Sequence, residues 1–167
     1  MSVQNYERLN CPVAKTLSVV GDQWTLLIIR DLLAGKGRFN EIQDSLGLSR
    51  NLLAQRLRQL VEEGLAERVS EDGSARARYQ PTQKCRELRI ALLALAEWGD
   101  RWHPDGQGPR LLPVDRERGE PVGARLCRLS DGALLELDQV RVRSRSQAAA
   151  EQAAAKARAV ETDATAS

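Results

Sequence analysis

Asn51, Gln55 and Arg58 fall at spacings of four and three residues, with Ala54 between them and Arg50 and Arg56 at their flanks. On a helix those intervals share one face. A carboxamide can bond adenine through two hydrogen bonds, a guanidinium can bond guanine in the same way, and flanking arginines can hold phosphates. The same pattern also describes a solvated helix face, and periodicity alone does not separate the two. No other group of residues reaches as far. Cys11, Cys85 and Cys127 lie far apart and His103 is the single histidine, so neither a metal site nor a disulfide framework is expected. His103 stands between Trp102 and Pro104 without the surroundings of a nucleophile elbow, and no glycine-rich phosphate loop is present. Catalysis and a cofactor are not expected.

The elements that must position this face can be read from the chain around it. In RFNEIQDSLGLSRNLLAQRLRQLVEEG, residues 38–64, Phe39, Ile42 and Leu46 form one apolar stripe and Leu53, Leu57 and Leu60 a second. Gly47 tolerates the left-handed conformation that ends the first helix, and Ser49 is placed to cap the second, which stops at Gly64. Beyond Gly64 the period becomes alternating. LAERV (65–69) and ARYQP (77–81) flank Asp72-Gly73, a strong hairpin signal. Helix, helix, hairpin is the order of a winged helix-turn-helix. The hairpin tip would carry Arg76 and Arg78 to the phosphate backbone or minor groove; a surface hairpin without a partner is the alternative. Lys36 and Arg38 before the first helix, and Ser49, Arg50 and Arg56 on the second, are the further phosphate candidates.

Upstream, residues 1–10 form a polar arm. Cys11-Pro12 opens a helix with proline at its first position and Cys11 at the N-cap, and Val13, Leu17 and Val20 form its stripe. A thiol there faces the positive end of the helix dipole, which favours the reactive thiolate, with Lys15 assisting; a half-buried packing role is the other reading. Asp22 can cap a helix over 23–34 that carries Trp24, Leu27, Ile28 and Leu32 on a wide apolar arc. From Gln83 to Trp102 the helical period returns, with Leu88, Leu92, Leu95 and Trp98 along one side. The winged domain already has its core, so this helix needs another surface, and a second copy of the chain is the simplest one. A linker at 105–109 leads to short apolar or alternating runs, read as a small antiparallel meander of three or four strands, and residues 144–167 form an Ala-rich tail.

The expected fold class is thus mainly α with a β-hairpin wing and a small C-terminal antiparallel β extension. Its boundaries fall at 1–10, 11–103, 104–143 and 144–167. The 167 residues suffice for one domain with a core plus an extension, and the formal net charge of +2 gives no overall basic field, so any DNA binding must come from charge placement. No apolar run is long enough for a membrane span and MSVQNYERLN lacks the core of a signal peptide; a cytoplasmic protein is expected.

CPVAKTLSVVGDQWTLLIIRDLLAG, the 38–64 stretch continued through LAERV, RYQPT and ALAEWGDRW together resemble the HxlR family of bacterial winged helix-turn-helix regulators, over roughly residues 11–102. The resemblance implies a homodimer built from the first helix, with Val13 and Leu17, and the long C-terminal helix, bound to double-stranded DNA at an inverted repeat. It also implies that Cys11 matches an N-terminal cysteine with which some members sense electrophiles or oxidants. Gln23 departs from the lysine usual before the tryptophan, and the extension and tail are absent from short members.

The expected function is a dimeric, sequence-specific regulator, repressor or activator, in which Asn51, Gln55 and Arg58 read bases. A winged protein-interaction module that never touches DNA, and a sensor holding a small-molecule effector in the 105–143 extension, are the alternatives.

Overall fold

The computed structural model describes residues 9–70, 77–106, 108, 112–144 and 146–154, which divide into two compact units at Ala124/Arg125. In the first unit, helix α1 (Pro12–Val20) is followed by α2 (Thr25–Leu33), α3 (Phe39–Leu46) and α4 (Arg50–Glu62). Strands β1 (Ala66–Ser70) and β2 (Ala77–Pro81) pair antiparallel from Ala66 opposite Pro81 to Ser70 opposite Ala77. Short α5 (Gln83–Glu87) and long α6 (Arg89–Trp102) follow.

Each local signal has a visible partner. Asp22 Oδ1 accepts the amides of Trp24 and Thr25 at 2.9 and 3.2 Å, so the chain turns into α2 on its carboxylate. Gly47 has φ +64° and closes α3, and the Ser49 hydroxyl accepts from the amide of Leu52 at the start of α4. At the far end of α4, Gly64 has φ +66° and Lys84 Nζ donates to the carbonyl of Glu63 at 2.6 Å. The Thr82 hydroxyl donates to the carbonyl of Gly64 at 2.8 Å. Helix ends leave carbonyls without intrahelical partners; here residues following the wing satisfy them.

Ile28, Ile29, Ile42, Leu53, Leu57 and Leu60 form the centre of the core, closed by Leu65, Ala66 and Cys85 from the wing and α5. The apolar stripes read on α3 and α4 therefore meet over α2. Burial also pushes the Cys85 thiol up from its ordinary value, an inert position for a cysteine.

The loop from α2 to α3 is pressed against the wing. Gly37 accepts from the amide of Tyr79 at 2.8 Å, and a Cβ on Gly37 would stand 2.6 Å from the Tyr79 carbonyl oxygen. Replacing Gly37 with Ala is expected to destabilise the domain by roughly 1–3 kcal/mol, the usual cost of overpacking. Urea denaturation measures it; an unchanged midpoint and slope would contradict this close approach.

Three features depart from expectation. The helical segment expected over 83–102 is divided at Leu88, whose amide bonds the Cys85 carbonyl three residues back at 3.1 Å, a tightened turn that starts α6 afresh. On α1, Val20 and Ala14 are buried but Val13 is 65% exposed, so the Val13–Leu17 edge of the expected stripe faces outward. The C-terminal meander is reduced. Within the first unit Val114 and Pro121 form one isolated bridge, around a turn that Asp115 organises by accepting the amides of Glu117, Arg118 and Glu120. Those donors hold the Asp115 carboxyl below its usual range, the Arg118 amide most strongly.

The second unit, by itself, contains β3 (Leu126–Cys127) paired antiparallel with β4 (Leu134–Leu135), a 3-10 turn at Leu137–Gln139 and a helix over 146–154. Asp131 pairs with Arg128 at 2.6 Å and accepts the amide of Ala133 in the connecting turn. Two-residue strands offer no face to bury, and Leu129, Leu134 and Leu137 are exposed.

Candidate nucleic-acid interface

Burying Leu53, Leu57 and Leu60 fixes the rotation of α4 about its axis and so decides what faces out. Asn51, Gln55 and Arg58 are all exposed, with Ala54 half-buried between them. Their side chains make no hydrogen bond or ion pair among the described residues. Arg50, at the first position of the helix, is exposed with its guanidinium 5.5 Å from the centre of the Phe39 ring. A cation held over an aromatic face retains its outward donors. The helix thus presents Asn51, Gln55 and Arg58 in a row without partners among the described residues, with Arg50 beside it over Phe39.

Other expected phosphate contacts are committed inside the domain. Arg56 is half-buried and its Nε stands 3.3 Å from Asp22 Oδ1, while its Nη1 donates to Gln59 at 3.0 Å. It braces α4 against the start of α2 rather than joining the outward row. Lys36 donates to the Ser45 hydroxyl at 2.6 Å and lies 3.6 Å from Asp31 Oδ2. Asp31 is 2% exposed and also receives Nε and Nη2 of Arg30 at 3.0 and 2.8 Å. A buried carboxylate needs its cations close, so Lys36 has an internal task. The Ser49 hydroxyl is engaged in capping. Of these partners, Asp22 lies far from Arg56 in the chain, and no helical period reveals that pairing.

At the wing, Arg78 Nη2 donates to the Gly35 carbonyl at 2.7 Å, and Arg38 forms a backbone bridge with Arg78 near the turn end of the hairpin. Both contribute to the field on Glu41, whose carboxylate accepts the amides of Gly37 and Arg38 at 3.0 and 2.9 Å. The Arg38 amide is the largest cause holding the Glu41 carboxyl below its ordinary value, with the Gly37 amide and the charges of Arg38 and Arg78 adding to it. Arg76 lies outside the described residues. Arg68 on β1 is exposed opposite Tyr79 in register, a further wing cation set back from the hairpin tip.

The remaining expected sites divide in two. Leu88 and Leu92 pack partly buried against the domain's own core. Leu95, Trp98 and Trp102 are exposed, Trp98 by 57%, and no residue of α6 is fully buried. Cys11 is exposed at the N-cap of α1 and its side chain makes no capping bond. No group of His, Cys, Asp and Glu suited to a metal occurs among the described residues, and no described helix is long and apolar enough to cross a membrane.

Comparison with known proteins places this arrangement among relatives. Residues 19–107 match the family model of the HxlR-like helix-turn-helix. The uncharacterised HTH-type transcriptional regulator Rv3095 of Mycobacterium tuberculosis is 38% identical over 115 residues, covering 68% of this chain and 73% of its own. The HTH-type transcriptional regulator YodB of Bacillus subtilis is 30% identical over 99 residues, 58% of this chain and 88% of its own. Among solved structures, PA1607, assigned as a transcription factor, superposes with a TM-score of 0.73 at 39% identity, covering 84% of this chain and 98% of that one. The redox regulator HypR in its reduced form superposes with a TM-score of 0.51 at 29% identity, covering 55% and 92%.

Proposed function

The chain belongs to the HxlR-like helix-turn-helix family of transcription regulators, and on that premise we propose that it acts as a homodimer on an inverted-repeat operator in the bacterial cytoplasm. Helix α4 of each subunit enters a major groove, Asn51, Gln55 and Arg58 contact base edges, and Arg50, Arg38 and the wing arginines contact phosphates. The observation that carries this reading is the outward row on α4. Three side chains able to read base edges are held in register by three buried leucines and remain unspent within the fold.

Replacing Arg58 with Ala is the test. Loss of one bidentate contact is expected to cost about 1–3 kcal/mol and to relax preference at one base pair, without changing stability. Fluorescence anisotropy against the operator and against single-base variants measures both. Unchanged affinity and unchanged preference would show that another edge of α4, or another element, does the reading.

We also propose that Cys11 is the residue through which the regulator responds to oxidants or electrophiles. Its exposure at a helix N-terminus supports this, as does the fold shared with HypR, which is itself a redox regulator. Mass spectrometry after brief treatment with an electrophile should find Cys11 modified and Cys85 untouched, and operator affinity should fall in the wild type but not in Cys11→Ser. A Cys11 no more reactive than a cysteine in unfolded peptide ends the idea.

A further inference from the structure

A cleft of about 340 Å³ opens on the winged domain, away from the α4 row, between the end of α2, strand β2 and the α5–α6 junction. Leu32, Leu33, Tyr79 and Pro81 give it an apolar floor, and Arg78, Arg86 and Arg89 give it three guanidiniums; none of its lining residues is acidic. Arg78 and Arg89 each donate an Nη2 to a carbonyl of the α2–α3 corner, Gly35 at 2.7 Å and Leu33 at 3.4 Å. These bonds tether two of the heads at the rim. The guanidinium of Arg86 makes no hydrogen bond or ion pair among the described residues.

The three arginines line one cleft, and only Arg78 also acts on a nearby carboxylate, that of Glu41; the complement of Arg86 and Arg89 is an anion. A guanidinium prefers a planar carboxylate that it can grip through two parallel bonds. The floor adds a second requirement, since apolar side chains gain from a hydrocarbon body rather than from a bare ion. The size is at the lower end of small-ligand sites, which run from ~300 to 1,000 Å³.

We propose that this cleft is an effector site for a small organic carboxylate with an apolar, planar body. The carboxylate lies between Arg86 and Arg89 and the body against Tyr79 and Pro81. The site is on the winged domain, not on the extension beyond residue 104. It also shares Arg78 with the wing, so an anion there draws on a cation that the DNA-binding reading assigns to phosphate, and occupancy weakens DNA binding.

The site itself is tested on the full-length protein without DNA, so its failure is separate from any failure of the DNA reading. Benzoate is titrated against isotope-labelled protein, with benzamide as the uncharged control and inorganic phosphate as the ion without a body. The expected result is saturable shifts confined to Leu32, Leu33, Tyr79 and neighbouring amides with benzoate alone, weakened at least tenfold in Arg86→Gln/Arg89→Gln. Because Arg86 and Arg89 are exposed, that variant should keep the wild-type spectrum elsewhere. Absence of saturation at tens of millimolar benzoate, equal binding of benzamide, equal binding of phosphate, or undiminished binding to the double variant would each overturn the proposal.

Discussion

Leu57→Ala is expected to cost about 2–5 kcal/mol of folding stability, the range for emptying a well-packed leucine site. Leu57 is fully buried, and with Leu53 and Leu60 it seats α4 in the core cluster that α2 and α3 share. A small domain has ~5–15 kcal/mol in all, so the loss is a large part of its margin. Chemical denaturation measures it. The neighbouring residue gives the contrast: Arg58 is exposed and without a partner among the described residues, so Arg58→Ala should change stability by no more than ~0.5 kcal/mol. One position holds the helix and the next one uses it. If Leu57→Ala unfolded at the wild-type midpoint, the buried seat of α4 would not be what sets its orientation.

Trp98→Glu is expected to have the largest effect on DNA binding without touching the DNA. Trp98 and Leu95 stand exposed on α6, and Val13 stands exposed on α1. Apolar surface of this kind marks an interaction site, and in the proposed two-fold dimer α6 would be covered by its partner copy. A carboxylate placed in such an interface has no partner and costs its desolvation. The variant should fold as before, sediment as a monomer and bind the inverted repeat more weakly by a factor of ~10²–10⁴, since each subunit then finds its half-site unaided. Sedimentation and anisotropy on one preparation settle it. A dimeric Trp98→Glu with wild-type operator affinity would remove α6 from the interface.

What could be read from the residue order was whatever repeats locally. The three leucines of α4, the glycines at 47 and 64 and the serine cap at 49 each carry their own reason for the structure around them, and strands β1 and β2 fall within a residue of the alternating runs. What a helical period does not show is the pairing of side chains within the fold. Arg56 and Lys36 looked like free cations because Asp22 and buried Asp31, which hold them, belong to another helix and its entry turn. Leu88 and Leu92 shared a stripe with Leu95 and Trp98, yet the first two meet the domain's own core and the last two do not. Nothing in the period of a helix says which of its neighbours is its own chain. In the C-terminal unit, pairing among the described residues stops after two residues a strand.

The outward row on α4 is the premise under the whole functional account, and hydroxyl-radical footprinting of the regulatory DNA upstream of the protein's own gene tests it most directly. Two protected patches are expected on one face of the duplex, about 34 Å apart from centre to centre, as symmetric helix-turn-helix dimers give. Arg58→Ala should need roughly tenfold or more protein to give the same protection. A duplex left evenly cut at every protein concentration, or protected in a pattern indifferent to Arg58, would contradict the account.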